Sequence, residues 1–164
     1  MTSRALTELL RGKGAHVDPL ACVEDIPAEL AVWRAPGLPH SVADLVFHMN
    51  YWMDYELRRI RGERPRYPEH SAESFPATDV MEEWNRLRDR FVFLLTEFIA
   101  LAELSAEELS RQVETVHEGD TKIAGTVEAV LWQMAAHNSY HVGQVVLVRQ
   151  ALGAWPPQGG GDTW

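Results

Sequence analysis

The chain has 164 residues, of which 46% are hydrophobic, so we expect one domain with a hydrophobic core and not a disordered chain. Its formal net charge of −9 argues against partners that are bound through phosphates, namely nucleic acid and anionic membrane. Cys22 is the only cysteine, which excludes a disulfide within the chain and a thiolate metal cluster.

Targeting and membrane segments are not visible in the sequence. There is no unbroken apolar run of about 18 residues, and the N-terminus lacks an apolar segment of signal-peptide length. We therefore expect a cytoplasmic protein with a single domain over residues 1–164 and a short C-terminal tail over 155–164. One basic cluster, Arg58 to Arg66, begins on a predicted helix and continues past its end. A solvated helix end is favoured there over a nucleic-acid patch.

The N-terminal region, Thr2 to Trp33, is amphipathic but interrupted. Gly12 and Gly14 loosen it, and Pro19 and Pro27 each look like the first residue of a helix. This pattern predicts a first bundle helix that is broken or kinked, followed by a short turn of helix at "PAELAVW".

A clear helix follows at "SVADLVFHMNYWMDYELRRIRG". Ser41 is a good N-cap, Asp44 stands where the acid of a capping box belongs, and Gly62 and Pro65 end the helix. Its predicted apolar face consists of Val42, Leu45, Val46, Met49, Met53, Leu57 and Ile60.

Two more helices are predicted after a long loop with three prolines, "ERPRYPEHSAESFPAT". Asp79 can cap the third helix, whose apolar residues are Val80, Trp84, Leu87, Phe91, Leu94, Leu95, Phe98 and Leu101. The last helix runs from about Thr126 to Leu152 and stops at Gly153. No stretch alternates convincingly with a period of two, so we predict an all-α four-helix bundle whose long loops allow a long crossover.

The last helix places polar groups on its apolar face. At about 100° per residue, His141 falls near the centre of this face, His137 falls inside its edge, and Gln144 follows one turn beyond His141. The apolar residues of the face are Ile123, Val127, Val130, Met134, Val145, Val148 and Leu152, with Trp132, Ser139 and Gln150 opposite. Two imidazoles are therefore expected to point into the core.

The pair "HNSYH" has two explanations. Imidazoles four residues apart on a helix can bind one metal ion, whereas core histidines can be bonded to carbonyls or to each other. The pair at this spacing, with both rings inward, favours a metal. The glutamate that follows the first histidine in the metalloprotease motif is absent, because Asn138 stands there.

His48 is the best third ligand among the remaining histidines. It lies on the edge of the apolar face of the second helix, one turn from Leu45 and Trp52. His16 is a lesser candidate, or a group behind the ligands. Three protein ligands leave an open position, which is the pattern of catalytic zinc; Ni²⁺, Fe²⁺ and Mn²⁺ also suit such ligands.

The stretches "PHSVADLVFHMNYWMDYEL" and "LWQMAAHNSYHVGQVVLVRQALGAWPP" resemble the DinB-like superfamily, which includes the YfiT-type proteins assigned as metal-dependent hydrolases. The resemblance implies a four-helix bundle in an up-up-down-down arrangement and a homodimer. It also implies a divalent metal, zinc or nickel first, held by the residues that match its motif: His48, His137 and His141.

Members of this superfamily differ in chemistry, and some use low-molecular-weight thiols, such as mycothiol-dependent isomerases and bacillithiol S-transferases. The resemblance implies a thiol-dependent S-transferase or a hydrolase with a small-molecule substrate, although no catalytic residue can be assigned. The alternative is a non-enzymatic metal-binding or stress-related bundle with a structural or vestigial site.

Several side chains are expected near the open position: Trp52, Tyr55, Tyr140 and Gln144. Core packing is an equally good explanation for the first two. Glu56 could serve as a base, but a buried ion pair is favoured.

The C-terminal tail, "WPPQGGGDTW", follows the last helix. It could fray, but Trp164 carries a large apolar area, so we predict that this residue packs onto the bundle or across a dimer.

Overall fold

The computed structural model describes residues 2–75, 83–117 and 120–161. Four helices build a bundle: α1 (Thr2–Leu10), α4 (Val42–Ile60), α5 (Trp84–Ala102) and α7 (Val127–Ala151). In it, α1 and α4 each pack against both α5 and α7. This arrangement confirms the all-α bundle. The elements in chain order are α1 (Thr2–Leu10), α2 (Pro19–Glu24), α3 (Ala28–Ala31), α4 (Val42–Ile60), a 3-10 turn (Ser71–Ser74), α5 (Trp84–Ala102), α6 (Ala106–Leu109), β1 (Gln112–His117), β2 (Asp120–Thr126) and α7 (Val127–Ala151).

Helix α4 forms as its sequence predicts. The Ser41 hydroxyl accepts a hydrogen bond from the Asp44 N–H at 3.1 Å, and the Asp44 carboxylate accepts one from the Ser41 N–H at 2.8 Å. At the other end, Gly62 has a φ of 83° and forms a Schellman motif, in which the Glu63 N–H donates to the Arg58 carbonyl. All seven residues of the predicted apolar face are buried.

The order of helix directions differs from the up-up-down-down arrangement. The Asn50 amide donates to the Leu87 carbonyl, and Arg61 pairs with Glu97 farther along both helices, so α4 and α5 run parallel. An up-up-down-down bundle would make its second and third helices antiparallel. Two parallel helices need a connection that returns along the length of the first one, and α4, with 19 residues, is roughly 30 Å long. The long segment between Ile60 and Trp84 can span this distance, which makes the parallel arrangement possible.

The N-terminal region is broken, as predicted. The Asp18 carboxylate caps α2 by accepting from the Leu20 N–H at 2.9 Å, and Pro19 is the first helical residue. Pro27 was predicted as the first residue of a helix, but it occupies the N-cap position, and α3 begins at Ala28. Its φ of −66° is fixed by the ring, but its ψ of 151° is extended, and this combination also suits the residue before a helix.

A β-hairpin that the sequence pattern did not predict precedes α7. β1 and β2 pair antiparallel, with Glu114 opposite Ile123. Ile123 is therefore a strand residue, and its assignment to the helical face was wrong. Tertiary contacts support the hairpin, since the Arg59 guanidinium donates to the Glu114 carbonyl at 3.1 Å. Short strands that are stabilised by contacts with distant residues need not show an alternating apolar pattern in their own sequence.

Two predicted features lie outside the described residues: the Asp79 cap with its neighbour Val80, and the packing of Trp164. Among the described residues, no helix has the length and apolarity needed to cross a membrane. The exposed arginines of the basic cluster are all paired with glutamates: Arg58 with Glu63, Arg61 with Glu97, Arg64 with Glu114, and Arg66 with Glu69.

Cys22 is fully buried in the core, and this burial raises the pKa of its thiol to about 12. We expect the thiol to be unreactive in the native protein, because the thiolate is the nucleophile and is absent near neutral pH. A chromogenic disulfide reagent at about pH 8 should react with one thiol per chain only after unfolding in urea. Equal rates for the native and unfolded chain would contradict this expectation.

Candidate metal centre

Helices α4 and α7 bring three imidazoles together where they pack. His137 and His141 lie one turn apart on α7, and His48 lies in the middle of α4. The Nε2 atoms of His48 and His137 are 3.2 Å apart, and the His141 ring centroid is 4.5 Å from both other rings. One ligand atom from each residue lies within 4.8 Å of the others. The three predicted residues therefore form one cluster.

Hydrogen bonds set the tautomer of His48. The Ser74 hydroxyl donates to the Ser71 carbonyl at 2.6 Å, so its oxygen is left to accept from the Nδ1–H of His48, 2.9 Å away. The proton of this neutral ring is then on Nδ1. Its Nε2 carries a lone pair directed towards the other histidines.

The two histidines of α7 are held in the same way. The Gln144 side-chain carbonyl accepts from the Nδ1–H of His141 at 2.6 Å, and the Asn138 side-chain carbonyl lies 3.3 Å from Nδ1 of His137. Asn138 itself is fixed, since its amide lies 3.3 Å from the Met53 sulfur. Each ring thus has an oxygen acceptor at Nδ1, which is the usual arrangement behind a metal-binding histidine.

These contacts favour a metal ion over a hydrogen bond between the two rings as the explanation of the histidine pair. Two neutral Nε2 lone pairs at 3.2 Å repel each other unless a proton or a cation lies between them. A bond between the rings requires one histidine to move its proton from Nδ1 to Nε2 and leave its oxygen partner. A cation needs no such change: two nitrogens on one tetrahedral zinc are about 3.3 Å apart, since each lies about 2.0–2.1 Å from the ion. The donor set fits a divalent metal.

The electrostatics also suit a metal. Burial first, and neighbouring imidazoles second, lower the pKa of His48 and of His141 to about 4. Burial likewise lowers the pKa of His137. All three rings are therefore neutral near pH 7, the form in which imidazole binds metal.

The loop between α4 and α5 covers one side of His48 with an aromatic ring, a contact that the sequence did not predict. Phe75 stacks on His48 with ring centroids 4.2 Å apart, and His40 stacks on Phe75 at 4.3 Å. Phe75 therefore lies between two imidazoles, next to Ser74. No spacing in the sequence indicates these contacts, because the loop reaches the cluster only through tertiary folding.

Three of the predicted neighbours lie at the cluster. Trp52 approaches His48 edge-on with ring centroids 6.4 Å apart, and Tyr140 approaches His141 at 5.0 Å. Gln144 bonds to His141, as described above. Tyr140 is 67% exposed, so it stands on the solvent side of the site.

Tyr55 and Glu56 lie farther from the histidines. The Tyr55 ring packs against Trp52, with centroids 5.6 Å apart. Glu56 forms a buried ion pair with Arg59 at 2.5 Å, the role that was favoured for it. Burial raises the pKa of Glu56, and Arg59 opposes this shift.

His16, predicted as a lesser ligand candidate or as a group behind the ligands, lies neither in the cluster of three histidines nor in hydrogen-bond contact with it. Its Nδ1 contacts the Val17 carbonyl and its Nε2 contacts the Ser139 hydroxyl, both at 2.8 Å. Ser139 lies on the side of α7 opposite His137 and His141. The chain between α1 and α2 packs on that side, which sequence spacing could not indicate.

The model of the DinB superfamily matches residues 18–145, a range that includes His48, His137 and His141. No curated protein matches the sequence. The matched range spans well over half of the 164 residues. The chain belongs to the DinB superfamily.

Proposed function

We propose that the protein binds one divalent metal ion with His48, His137 and His141 and is a metal-dependent enzyme, of the thiol-dependent S-transferase or the hydrolase type. The observation that carries the metal site is the cluster of three imidazoles, each with one ligand nitrogen within 4.8 Å of the others, while every Nδ1 faces an oxygen. Zinc and nickel suit this all-nitrogen set best, and iron and manganese also fit it.

The number of ligands supports an enzyme over a structural site. Among the residues that the structure describes, the closely spaced group of His, Cys, Asp and Glu side chains has three members. Three protein ligands with an open position are typical of catalytic zinc, whereas structural zinc has four. A divalent ion held there supplies Lewis acidity and lowers the pKa of a molecule in the open position.

The chain's own residues prepare the site. Ser74 and Gln144 fix the rings of His48 and His141 and so aim their Nε2 atoms. Phe75 covers one face of His48, and Trp52 stands at its edge, so both limit access of water. Tyr140 presents a hydroxyl near the exposed side of the cluster, where it could orient a substrate.

Gln144→Leu should lower the affinity for zinc by about 10- to 100-fold, because His141 loses the acceptor that fixes its tautomer. The measurement is competition with a chromogenic zinc chelator. Gln150→Leu is the matched control, since Gln150 is exposed on the same helix. Equal affinities in the two variants would show that Gln144 does not orient a ligand.

The enzymatic part is tested by turnover. Conjugation of a chromogenic electrophile should be followed with several cellular thiols, and ester hydrolysis without any thiol, before and after chelation. The proposal expects turnover that stops on chelation and returns with metal. A protein that binds metal but turns over nothing in either assay would favour the alternative, a structural or vestigial site.

A homodimer and a small-molecule substrate complete the proposal. Both rest on the resemblance of the histidine-bearing stretches to the DinB-like superfamily, which implies them. Light scattering should give a mass near twice 18.6 kDa. A mass of one chain at all concentrations would refute the dimer without affecting the metal site.

A further inference from the structure

A small cavity lies one helical turn from the histidine cluster, and none of the three histidines lines it. Its volume is about 70 Å³. Gln144, the hydrogen-bond partner of His141, forms part of its wall, together with Leu38, Pro39, His40, Leu45, Leu147 and Val148.

The antiparallel packing of α4 on α7 explains this position. His48 meets His141, whereas Asn138 meets Met53, so residues before His48 lie beside residues after His141. Leu45 precedes His48 by one turn, and Val148 follows His141 by two turns. His40 approaches from the far face of Phe75. The cavity therefore lies beside the metal centre, on the side towards one end of the bundle.

The chemistry of the wall is aliphatic. Five of its seven described residues are Leu, Pro or Val, and none is Asp, Glu, Lys or Arg. The volume holds roughly two to five groups of the size of a water molecule or a methyl group. Gln144 and His40 supply the polar groups, and the Gln144 carbonyl is already engaged by His141. An unbranched apolar group of a few carbons can bind against this aliphatic lining without losing hydrogen bonds to water, whereas a charged or highly polar group would lose them.

We propose that this cavity is a specificity subsite, which binds the short aliphatic part of the molecule whose head group occupies the open metal position. The inference rests on the proposed metal centre, and it names the class of ligand: a small molecule with a metal-binding head and an unbranched apolar tail of about two to five carbons.

The test uses the cobalt(II)-loaded protein and its visible absorption spectrum. Azide serves as a head group without a tail, and primary alkanethiols from ethanethiol to hexanethiol serve as a series, each binding as thiolate with its proton released to the buffer. Affinity should rise about fourfold for each added methylene, as expected for burial of one methylene, and level off once the cavity is full.

Leu147→Trp is the filling variant, because Leu147 lines the cavity yet is 53% exposed, so the fold should tolerate the change. Trp132→Ala, an exposed position earlier on α7, is the control. The gain per methylene should fall in the first variant and persist in the second, with azide binding unchanged in both. Circular dichroism verifies the fold of each variant.

Two outcomes separate the two claims. Azide that leaves the cobalt spectrum unchanged would overturn the open metal position and the subsite with it. Azide that binds, with thiol affinities independent of chain length or equally dependent on it in Leu147→Trp and Trp132→Ala, would overturn the subsite alone.

Discussion

Replacing His141 by alanine should lower the affinity for zinc by more than about 100-fold, which is the upper range for losing only the hydrogen-bond partner of a ligand. His141 is the ligand candidate closest to both other rings, at 4.5 Å from each. Its removal leaves two imidazoles, which cannot hold the ion as three do. The affinity is measured by competition with a chromogenic zinc chelator.

The control for His141→Ala is His70→Ala. His70 is an exposed histidine in the loop after α4, so its loss should leave the affinity unchanged. Helix content by circular dichroism should be the same in both variants. Equal zinc affinity in His141→Ala and the parent protein would mean that zinc binds elsewhere.

The largest effect on stability is expected from Arg149→Ala. Arg149 is 2% exposed, and its guanidinium donates to the Cys22 carbonyl at 2.6 Å, to the Asp25 carboxylate at 2.8 Å and to the Ala154 carbonyl at 2.9 Å. One side chain therefore joins α7 to the end of α2 and to the segment after α7. Truncation leaves Asp25 without its cation and the two carbonyls without a donor, and it should lower the free energy of unfolding by about 3–5 kcal/mol.

Urea unfolding of the metal-free protein, followed by tryptophan fluorescence, measures this loss. Arg149→Lys should fall between the alanine variant and the parent, because lysine keeps the charge but not the planar set of donors. Arg61→Ala is the control: its pair with Glu97 is half exposed, so the change should be at most about 1 kcal/mol. If Arg149→Ala lowered the free energy of unfolding no more than Arg61→Ala does, the buried hydrogen bonds and ion pair of Arg149 would contribute little to stability.

The features that depend on neighbouring residues in the chain could be predicted from the sequence. The Ser41–Asp44 capping box and the apolar face of α4 follow from local spacing, and the structure has both. The inward direction of His141 follows from the phase of one helix, and this residue is buried. Helical periodicity is a strong pattern over 19 or 25 residues.

The features that depend on distant residues could not be predicted. Ser74 and Phe75 reach His48 across a loop, and His16 reaches Ser139 across the bundle, without any periodic pattern. The hairpin depends on a contact from Arg59, and the parallel direction of α4 and α5 depends on the path of a long connection. The local sequence of a loop does not indicate which distant residues it will contact, so the three clustered histidines were predictable and their surroundings were not.

X-ray absorption spectroscopy of the zinc-loaded protein tests the central claim most directly, because it reports the type and number of atoms bound to the ion. The three-histidine site predicts three imidazole nitrogens at about 2.0–2.1 Å and at least one further light atom that the protein does not supply. A first shell with fewer than three imidazoles would contradict the site formed by His48, His137 and His141.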